Sequence, residues 1–372
     1  MYKSVQSRSF VFVVLLIGGV FSGLGCQVIK RIFTKPPPEG VVQESYTVRA
    51  MTYEQTSTIK ATLEEILDFM ADPSVKLYRG TGIDLEKKVL GNGFPSIGDV
   101  FPFDVDKAGI KLKGKIIAVK SEGNKIWFFW DSPSIFMTAR MEFNRAKEGI
   151  KFFIKLSVEI PTEGKLAPFE TMIKIVTKYV FGGIDLMVAR LQAHFDPSLD
   201  ADELVAAGPR GEIFEEFLQV HETQVWIDAS PEEIDAWMRE PENLSLFTPG
   251  LKIETQYLSQ WQQAPTGIVV YVPAIFNAGL LKLKPDLFFV KNETGNESVI
   301  RIIAVAFGRF ALCDVELKPY KGGTLTNFKL VHEIPAFASI ERMDLMLFLT
   351  QFPQFMQETV LRIKKGVEER NE

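Results

Sequence analysis

The chain has 372 residues, enough for two domains of ordinary size, and a net charge of −5, which argues against nucleic-acid binding as its main task. Hydrophobic residues make up 46% and charged residues 24%, a balance that excludes wholesale disorder. The 30 Phe residues outnumber the 27 Gly residues, so the folded part either buries more aromatic surface than a plain core needs or lines a cavity with it.

The first predicted element is a targeting segment, residues 1–29. Lys3 and Arg8 precede the apolar run FVFVVLLIGGVFSGLGC, which ends at Cys26. This order resembles a bacterial lipoprotein signal peptide, in which Cys26 becomes the lipidated first residue. The alternative is an uncleaved anchor, because residues 10–29 are long and apolar enough to span a bilayer. Both alternatives predict a membrane-anchored protein on the cell-envelope or periplasmic side.

The cysteine count limits what chemistry the folded part can carry. Besides Cys26 there is only Cys313, so neither a disulfide framework nor a thiolate metal site can be built. Cys313 lies within the apolar run FGRFALCDVEL and is predicted to be a buried small hydrophobe.

Two breaks divide the rest of the chain. Residues 30–45 contain the proline-rich TKPPPEG and predict a stiff spacer. Residues 197–212 lie within DPSLDADELVAAGPRGE, which is rich in Asp, Gly and Pro, and predict a linker. The sequence therefore predicts one domain over residues 46–196 and a second over residues 213–372.

The two predicted domains contain a repeated segment. Residues 59–73 read IKATLEEILDFMADP and residues 227–241 read IDASPEEIDAWMREP, and the offset between them is 168. Each segment predicts the end of a strand followed by a short helix, with Thr62 or Ser230 as the N-cap and Pro231 at the first helical position. The repeat indicates an internal duplication.

Runs with period-two apolar residues follow each short helix and predict antiparallel strands. The second domain gives LKIETQYL, GIVVYVP, LKPDLFFVK, SVIRIIAVAFGRFALCDVEL and LTNFKLVHEIP. The last strands of both domains end in Glu-Ile-Pro, with an offset of 174. A long helix with apolar residues at helical spacing is predicted after each, roughly over 167–195 and 338–367.

The order of strand, short helix, antiparallel strands and long C-terminal helix is that of the helix-grip fold. With the segment VWIDASPEEIDAWMREPENLSLFTPGL, the chain from about residue 50 onward resembles two tandem members of the superfamily that includes START lipid-transfer domains, Bet v 1-like proteins, polyketide cyclases and coenzyme Q-binding proteins. The first copy departs from the pattern, since Leu63 stands where the second has Pro231. The resemblance implies an α+β fold with a curved antiparallel sheet around each long helix.

The resemblance also implies an apolar cavity between each sheet and its helix, in which the family holds lipids, sterols, quinones or polyketide-like molecules. Side chains rich in Phe and Met suit bulky, variable apolar ligands. The residues expected to contact such a ligand are Val225, Leu330, Met343 and Leu347 in the second domain, and Phe129, Phe153, Met172 and Val176 in the first. The alternative is that all of these side chains are ordinary core.

Two histidines are candidate polar contacts for a ligand head group. His221 lies in the first strand of the second domain and His332 in its last strand, on the apolar face of each. Because the first and last strands of this fold pair antiparallel, we expect the two to be neighbours in the second cavity. Their counterparts in the first domain are Tyr53 and Val158.

Three functions are compatible with the sequence. The leading hypothesis is a membrane-tethered carrier of an apolar small molecule, such as a lipid, isoprenoid or quinone-like compound. The second is a cyclase- or hydratase-type enzyme with polar groups deep in one cavity, although the common catalytic motifs are absent from the sequence. The third is a structural protein with filled cores, whose outer sheet faces bind a partner. No catalytic residue, cofactor or metal is predicted.

Overall fold

A computed structural model gives the arrangement of most of the chain after residue 39. It describes residues 40–72, 77, 96–107, 110–131, 136–160, 170–208, 210–240, 242–243, 251–278, 281–294, 297–306, 309–334 and 341–371. All of them belong to one compact unit, Glu39–Glu372. None of the helices in these ranges is both long and apolar enough to cross a bilayer. The predicted targeting segment 1–29, with Cys26, lies outside the described residues.

The first half of the unit runs from a strand to a long helix. Its elements are β1 (Val42–Ile59), α1 (Leu63–Ala71), β2 (Val100–Lys107), β3 (Ile110–Glu122), β4 (Lys125–Asp131), β5 (Met137–Ala146), β6 (Gly149–Ile160) and α2 (Glu170–Phe195). A short helix, α3 (Ala201–Ala206), follows within the predicted linker.

Among the described residues, the second half repeats this order with one extra helix and two extra strands of three residues each. Its elements are β7 (Glu212–Ile227), α4 (Pro231–Arg239), β8 (Leu251–Ile253), α5 (Thr255–Gln263), β9 (Val269–Ala278), β10 (Leu281–Leu283), β11 (Asp286–Thr294), β12 (Glu297–Ala306), β13 (Arg309–Tyr320), β14 (Gly323–Glu333) and α6 (Glu341–Asn371). Antiparallel strands with long helices after them make this an α+β fold, as predicted.

Several predicted elements differ from the observed ones. The run LKIETQYL is not one strand, because β8 ends at Ile253 and α5 begins at Thr255. The run from 298 to 317 is a hairpin, since β12 and β13 pair antiparallel from Ala306 and Arg309 outward. The predicted spacer 30–45 overlaps the first strand, which begins at Val42.

The two halves share one continuous antiparallel sheet. Its strand order is β10-β9-β11-β12-β13-β14-β7-β1-β6-β5-β4-β3-β2. The halves join where β1 pairs with β7, over the whole stretch from Val42, opposite Gln224, to Glu54, opposite Glu212. Arg49 lies opposite Phe217, and these are equivalent positions of the repeat, which has an offset of 168. The junction is therefore a pseudo-twofold pairing of the two first strands.

Each half has a core between its long helix and the face of the sheet beneath, which we call the helix face. In the first half this core includes Ile154 and Leu156 from β6 and Val188 from α2. In the second it includes Val225 from β7, Leu330 from β14 and Val360 from α6. The internal duplication is therefore also seen in the packing, since each half buries an apolar sheet face under its own long helix.

A third core lies on the opposite side of the sheet, which we call the outer face. It contains side chains from both halves, among them Trp127, Phe129 and Phe136 of the first and Phe288 and Phe310 of the second. Four of the 30 Phe residues are therefore buried between the halves. The structural-protein hypothesis requires free outer faces, whereas these parts of both outer faces cover one another.

The caps of the two short repeated helices confirm the predicted starts. Thr62 caps α1 and Ser230 caps α4, and in each a Glu three residues later completes a capping box. Pro231 occupies the first turn of α4, where its missing N–H needs no partner. The hydrogen bonds made by the Thr62 and Ser230 backbone and side chains lower the pKa of Glu65 and Glu233.

In each half, a glycine passes very close to a backbone carbonyl group of the first strand, a contact that the sequence analysis did not predict. A Cβ at Gly149 would meet the carbonyl oxygen of Ile59 at 2.1 Å, and one at Gly323 would meet that of Ile227 at 2.4 Å. Both glycines begin the last strand of their half, and Ile59 and Ile227 are equivalent positions. Only a residue without a side chain lets the chain pass this carbonyl.

We expect Gly149→Ala to lower the free energy of unfolding by about 1–3 kcal/mol, because it adds the clash to a φ of +116°. Gly323→Ala should lower the free energy of unfolding by less than Gly149→Ala does, since it adds the steric clash without a strained φ. Urea unfolding checks both values. Gly208→Ala, which has a positive φ but open space around it, separates strain from clash. A value for Gly149→Ala no larger than that for Gly208→Ala would contradict the role of the carbonyl.

Candidate ligand-binding site

The helix face of the second half is where the structure gathers the predicted polar and apolar residues. Val225 and Leu330 are buried there under α6. His221 shares the face with Val225 on β7, and His332 shares it with Leu330 on β14, since alternate residues of a strand face the same side. In the first half, Val176 of α2 is buried in the corresponding core.

Two predicted ligand contacts in the first half lie elsewhere. Phe129 is in the third core, on the outer face. Phe153 follows Phe152 and precedes Ile154, and both of these face α2. Phe153 therefore points to the opposite side, because successive strand residues alternate. The prediction that Phe129 and Phe153 contact a ligand under α2 was wrong. Both residues lie in strands, as predicted, but their side chains are on the face of the sheet that points away from α2.

The remaining predicted residues are positioned only in part. Met172 lies in α2, and Met343 and Leu347 lie in the first half of α6, but their side chains are outside the described part of the structure. Their role stays a prediction.

The two histidines form one hydrogen-bonded pair. Their Nε2 atoms are 3.4 Å apart, and the rings stack with centroids 5.5 Å apart. His221 is bound on its other side by Ser45 of β1, whose Oγ lies 2.8 Å from Nδ1. His332 Nδ1 lies 3.0 Å from the carbonyl oxygen of Glu333. The strand pairing predicted from the sequence therefore does bring these residues together.

These distances fix the tautomers of a neutral pair. The Glu333 carbonyl can only accept, so His332 donates to it from Nδ1 and keeps Nε2 as an acceptor. His221 then donates from Nε2 to His332, and its Nδ1 accepts from the Ser45 hydroxyl. Each ring nitrogen has a partner, so the pair leaves no free donor or acceptor for a ligand.

Burial keeps both rings neutral. Desolvation, and then the neighbouring His332, lower the pKa of His221 to about 4. Desolvation also lowers the pKa of His332, although its bond to the Glu333 carbonyl acts in the opposite direction. The charged form is disfavoured mainly because a buried ring has lost the water that would solvate its charge.

The first half contains a buried polar network that the sequence analysis missed. The Tyr53 hydroxyl donates to Asp185 Oδ1 at 2.5 Å and lies 2.8 Å from Gln55 Oε1. Gln55 in turn donates to Ser57 at 3.3 Å, and the backbone N–H of Arg210 donates to Asp185 at 3.2 Å. The network lies on the helix face, between β1 and α2.

The network is held by burial and mutual hydrogen bonding. Desolvation, and then the bond to Asp185, raise the pKa of Tyr53, so its hydroxyl is a donor throughout the usual pH range. The signal for it was Asp185, a charged residue in the run FGGIDLMV of an otherwise apolar helical face. Buried carboxylates need partners, so a polar neighbour across the sheet was to be expected.

The described residues offer little for metal or thiol chemistry. They contain no group of three or more His, Cys, Asp or Glu side chains that could hold a metal ion. Cys313 is a free thiol packed against the second core, but it is only partly buried, whereas a buried residue was predicted. Desolvation raises the pKa of this thiol to about 12. A thiol held protonated in this way is a poor nucleophile.

Comparisons with known proteins give similarities of fold only. No family model matches the sequence, and no curated protein does. The chain is similar to the crystal structure of the di-domain ARO/CYC StfQ from the steffimycin biosynthetic pathway, at 12% identity and a TM-score of 0.33, over 86% of this chain and 99% of that one. It is also similar to a STAR-related lipid transfer protein from Xanthomonas axonopodis, at 12% identity, a TM-score of 0.30 and coverage of 40% and 86%. The human StAR-related lipid transfer protein 5 is another similar structure, at 11% identity, a TM-score of 0.30 and coverage of 45% and 79%.

Proposed function

We propose that this protein binds an apolar small molecule, such as a lipid, an isoprenoid or a quinone-like compound, between the helix face of its sheet and a long helix. It acts as a carrier formed of two tandem helix-grip domains. The apolar segment before residue 30 tethers it to a membrane, where such ligands partition.

The observation that carries the proposal is the composition of the helix faces. A core that only stabilises a fold is made of apolar side chains, because burying polar groups is costly. Here both helix faces bury polar residues among apolar ones, Tyr53 and Gln55 in the first half and His221 and Thr223 in the second. Departures of this kind from local rules concentrate at functional sites.

The test is extraction of the purified full-length chain with organic solvent, followed by mass spectrometry of the extract. We expect a discrete apolar compound that remains bound through size-exclusion chromatography. Leu330→Trp fills the helix face of the second half and should reduce the bound amount. Ile175→Trp, at an exposed position of α2, is the matched control and should leave it unchanged.

A protein that carries only the bulk lipid mixture of its membrane, in the same amount in Leu330→Trp as in the wild type, would count against the carrier function. The enzyme alternative predicts a different result, because turnover of a candidate substrate would then depend on His221 and His332.

A further inference from the structure

Four buried hydroxyl groups have no hydrogen-bond partner in the described part of the chain. They belong to Thr223 on β7, Ser298 on β12, Thr326 on β14 and Thr359 on α6, all in the second half. Thr223 and Thr326 are 0% exposed and Thr359 is 8% exposed. Buried hydroxyls nearly always have a partner, because an unmet one costs about 1–3 kcal/mol.

Thr223 and Thr326 lie within a stripe of polar side chains on the helix face. In the register of β7 and β14, each row of this face from His221 to Ile227 pairs one polar residue with one apolar residue, whereas the next row pairs Gln219 with His332. The rows are His221/Leu330, Thr223/Phe328, Val225/Thr326 and Ile227/Thr324. Thr324 donates to the Ala229 carbonyl at 2.6 Å and the histidines bind each other, so Thr223 and Thr326 are the members of the stripe with unmet capacity.

Thr359 is a third buried hydroxyl without a partner, and it belongs to the helix that covers this part of the sheet. Two contacts fix α6 over β7: Gln43, which pairs with Thr223, donates to the Pro353 carbonyl, and Lys364 donates to the Trp226 carbonyl at 2.8 Å. Thr359 lies between these two points of the helix. Since Thr359 is also buried, this residue lies above the stretch of β7 that begins at Thr223.

The first half has the same positions but different side chains. Gln192 of α2 donates to the Thr58 carbonyl as Lys364 donates to the Trp226 carbonyl, and Thr58 and Trp226 are equivalent. The repeat of the first strands makes Gln55 the counterpart of Thr223, and the register of the paired strands makes Phe152 the counterpart of Thr326. When the long helices are aligned on Gln192 and Lys364, Met187 is the counterpart of Thr359.

Hydrogen bonding separates the two halves at these positions. Gln55 is bonded to Ser57 and lies beside the Tyr53 hydroxyl, whereas Phe152 and Met187 need no partner. The second half does not have smaller side chains here, because Val225 and Phe328 are larger than their counterparts Ser57 and Ile154. What distinguishes the second half at these positions is the presence of buried hydroxyls without a hydrogen-bond partner.

We propose that the ligand is held in the second half, between α6 and strands β7 and β14, and that it is an apolar molecule with at least two oxygen atoms that hydrogen-bond to Thr223, Thr326 or Thr359. This inference rests on the proposed function and assigns it to one half. Carbonyl, ether or hydroxyl oxygens fit, because a threonine hydroxyl both donates and accepts. The first half, in which Tyr53, Gln55 and Asp185 form one hydrogen-bonded network, is the structural partner.

A pair of three-ring compounds tests the assignment. Anthraquinone carries two carbonyl oxygens and anthracene carries none. Their binding to the full-length chain in mild detergent can be followed by quenching of tryptophan fluorescence. We expect Thr223→Val and Thr326→Val each to weaken anthraquinone binding about tenfold, the value of one hydrogen bond, and to change anthracene binding by less than about twofold. Partition into detergent cancels in the ratio of variant to wild type.

Ser57→Ala is the matched variant, since it removes a buried hydroxyl from the first half. It should leave the binding of both compounds unchanged and lower the midpoint of unfolding without ligand. Thr223→Val and Thr326→Val should leave that midpoint unchanged or raise it, because they remove hydroxyls with no partner.

Each other outcome has a defined meaning. The inference is overturned if the two threonine variants lower the midpoint as Ser57→Ala does, or if they leave anthraquinone binding intact. Binding of anthraquinone that depends on Ser57 would place the ligand in the first half instead, and the proposed function would survive. Failure of both compounds to bind would contradict the proposed function, and this inference with it.

Discussion

Replacing Arg301 by Met should lower the free energy of unfolding by about 3–5 kcal/mol, because it leaves two buried carboxylates without a cation. The Arg301 side chain is 3% exposed and binds Asp314 on β13 through Nε and Nη2, each at 2.8 Å. Its Nη1 binds Asp131, at the end of β4 in the first half, at 2.7 Å. Burial alone would lower the pKa of Arg301, but Asp314 and then Asp131 more than offset this and raise it.

The measurement for Arg301→Met is guanidinium unfolding at neutral pH, with tryptophan fluorescence as the signal. Arg49→Met is the control, since Arg49 makes a partly exposed ion pair with Glu170 and such pairs contribute about 0–1 kcal/mol. Replacing Arg301, Asp131 and Asp314 together by apolar residues should recover part of the loss, because the desolvation cost then disappears. Equal effects of Arg301→Met and Arg49→Met would show that the cluster between the halves contributes no more than a surface pair.

Acidification from pH 6.5 to about 4 should lower the free energy of unfolding by roughly 3 kcal/mol through His221 alone. An unfolded histidine titrates near pH 6.5, whereas burial holds the pKa of His221 at about 4 in the native protein. Between these values the unfolded state binds a proton that the native state does not, so stability falls as the pH falls. Above about pH 7.5 neither state is appreciably protonated and this contribution is constant.

Unfolding at a series of pH values measures this slope. The double variant His221→Phe, His332→Phe should lose it between pH 4.5 and 6.5. The capping residues Glu65 and Glu233 have lowered pKa values, so their contribution is lost only as the pH falls below about 4.5 and does not overlap this window. The wild-type plateau above about pH 7.5 serves as the internal reference. A double variant as acid-sensitive as the wild type would contradict the role of the pair.

Local signals in the sequence were sufficient for much of the secondary structure. The N-caps at Thr62 and Ser230 could be predicted because an N-cap residue contacts only the first turn of its own helix. The adjacency of His221 and His332 followed from the antiparallel pairing of first and last strands. The α5 helix was missed because Leu251 and Ile253 begin a strand-like alternation, although Leu258 and Trp261 already follow helical spacing and are buried on one side.

Contacts between distant segments could not be derived in the same way. A strand that is apolar on both faces, such as KIWFFW, gives no indication of which face meets which layer, so Phe129 was assigned to the wrong one. The third core exists only because the outer faces of the two halves meet, and no periodicity of either half encodes that meeting. Likewise, the unmet hydroxyls of Thr223 and Thr326 become visible only once every neighbour of each group is known.

The pairing of β1 with β7 has a consequence for synthesis of the chain. During translation the first half leaves the ribosome with β1 as an open edge, long before β7 exists to close it. An open edge is a template for another strand, and β1 of a second copy would offer a matching one. Since Arg49 and Phe217 are equivalent positions about a twofold pseudo-axis, two β1 strands can meet antiparallel in the same register, as an isologous dimer would. Fusing both copies into one polypeptide supplies the closing strand in cis and limits that competition to the interval before β7 emerges.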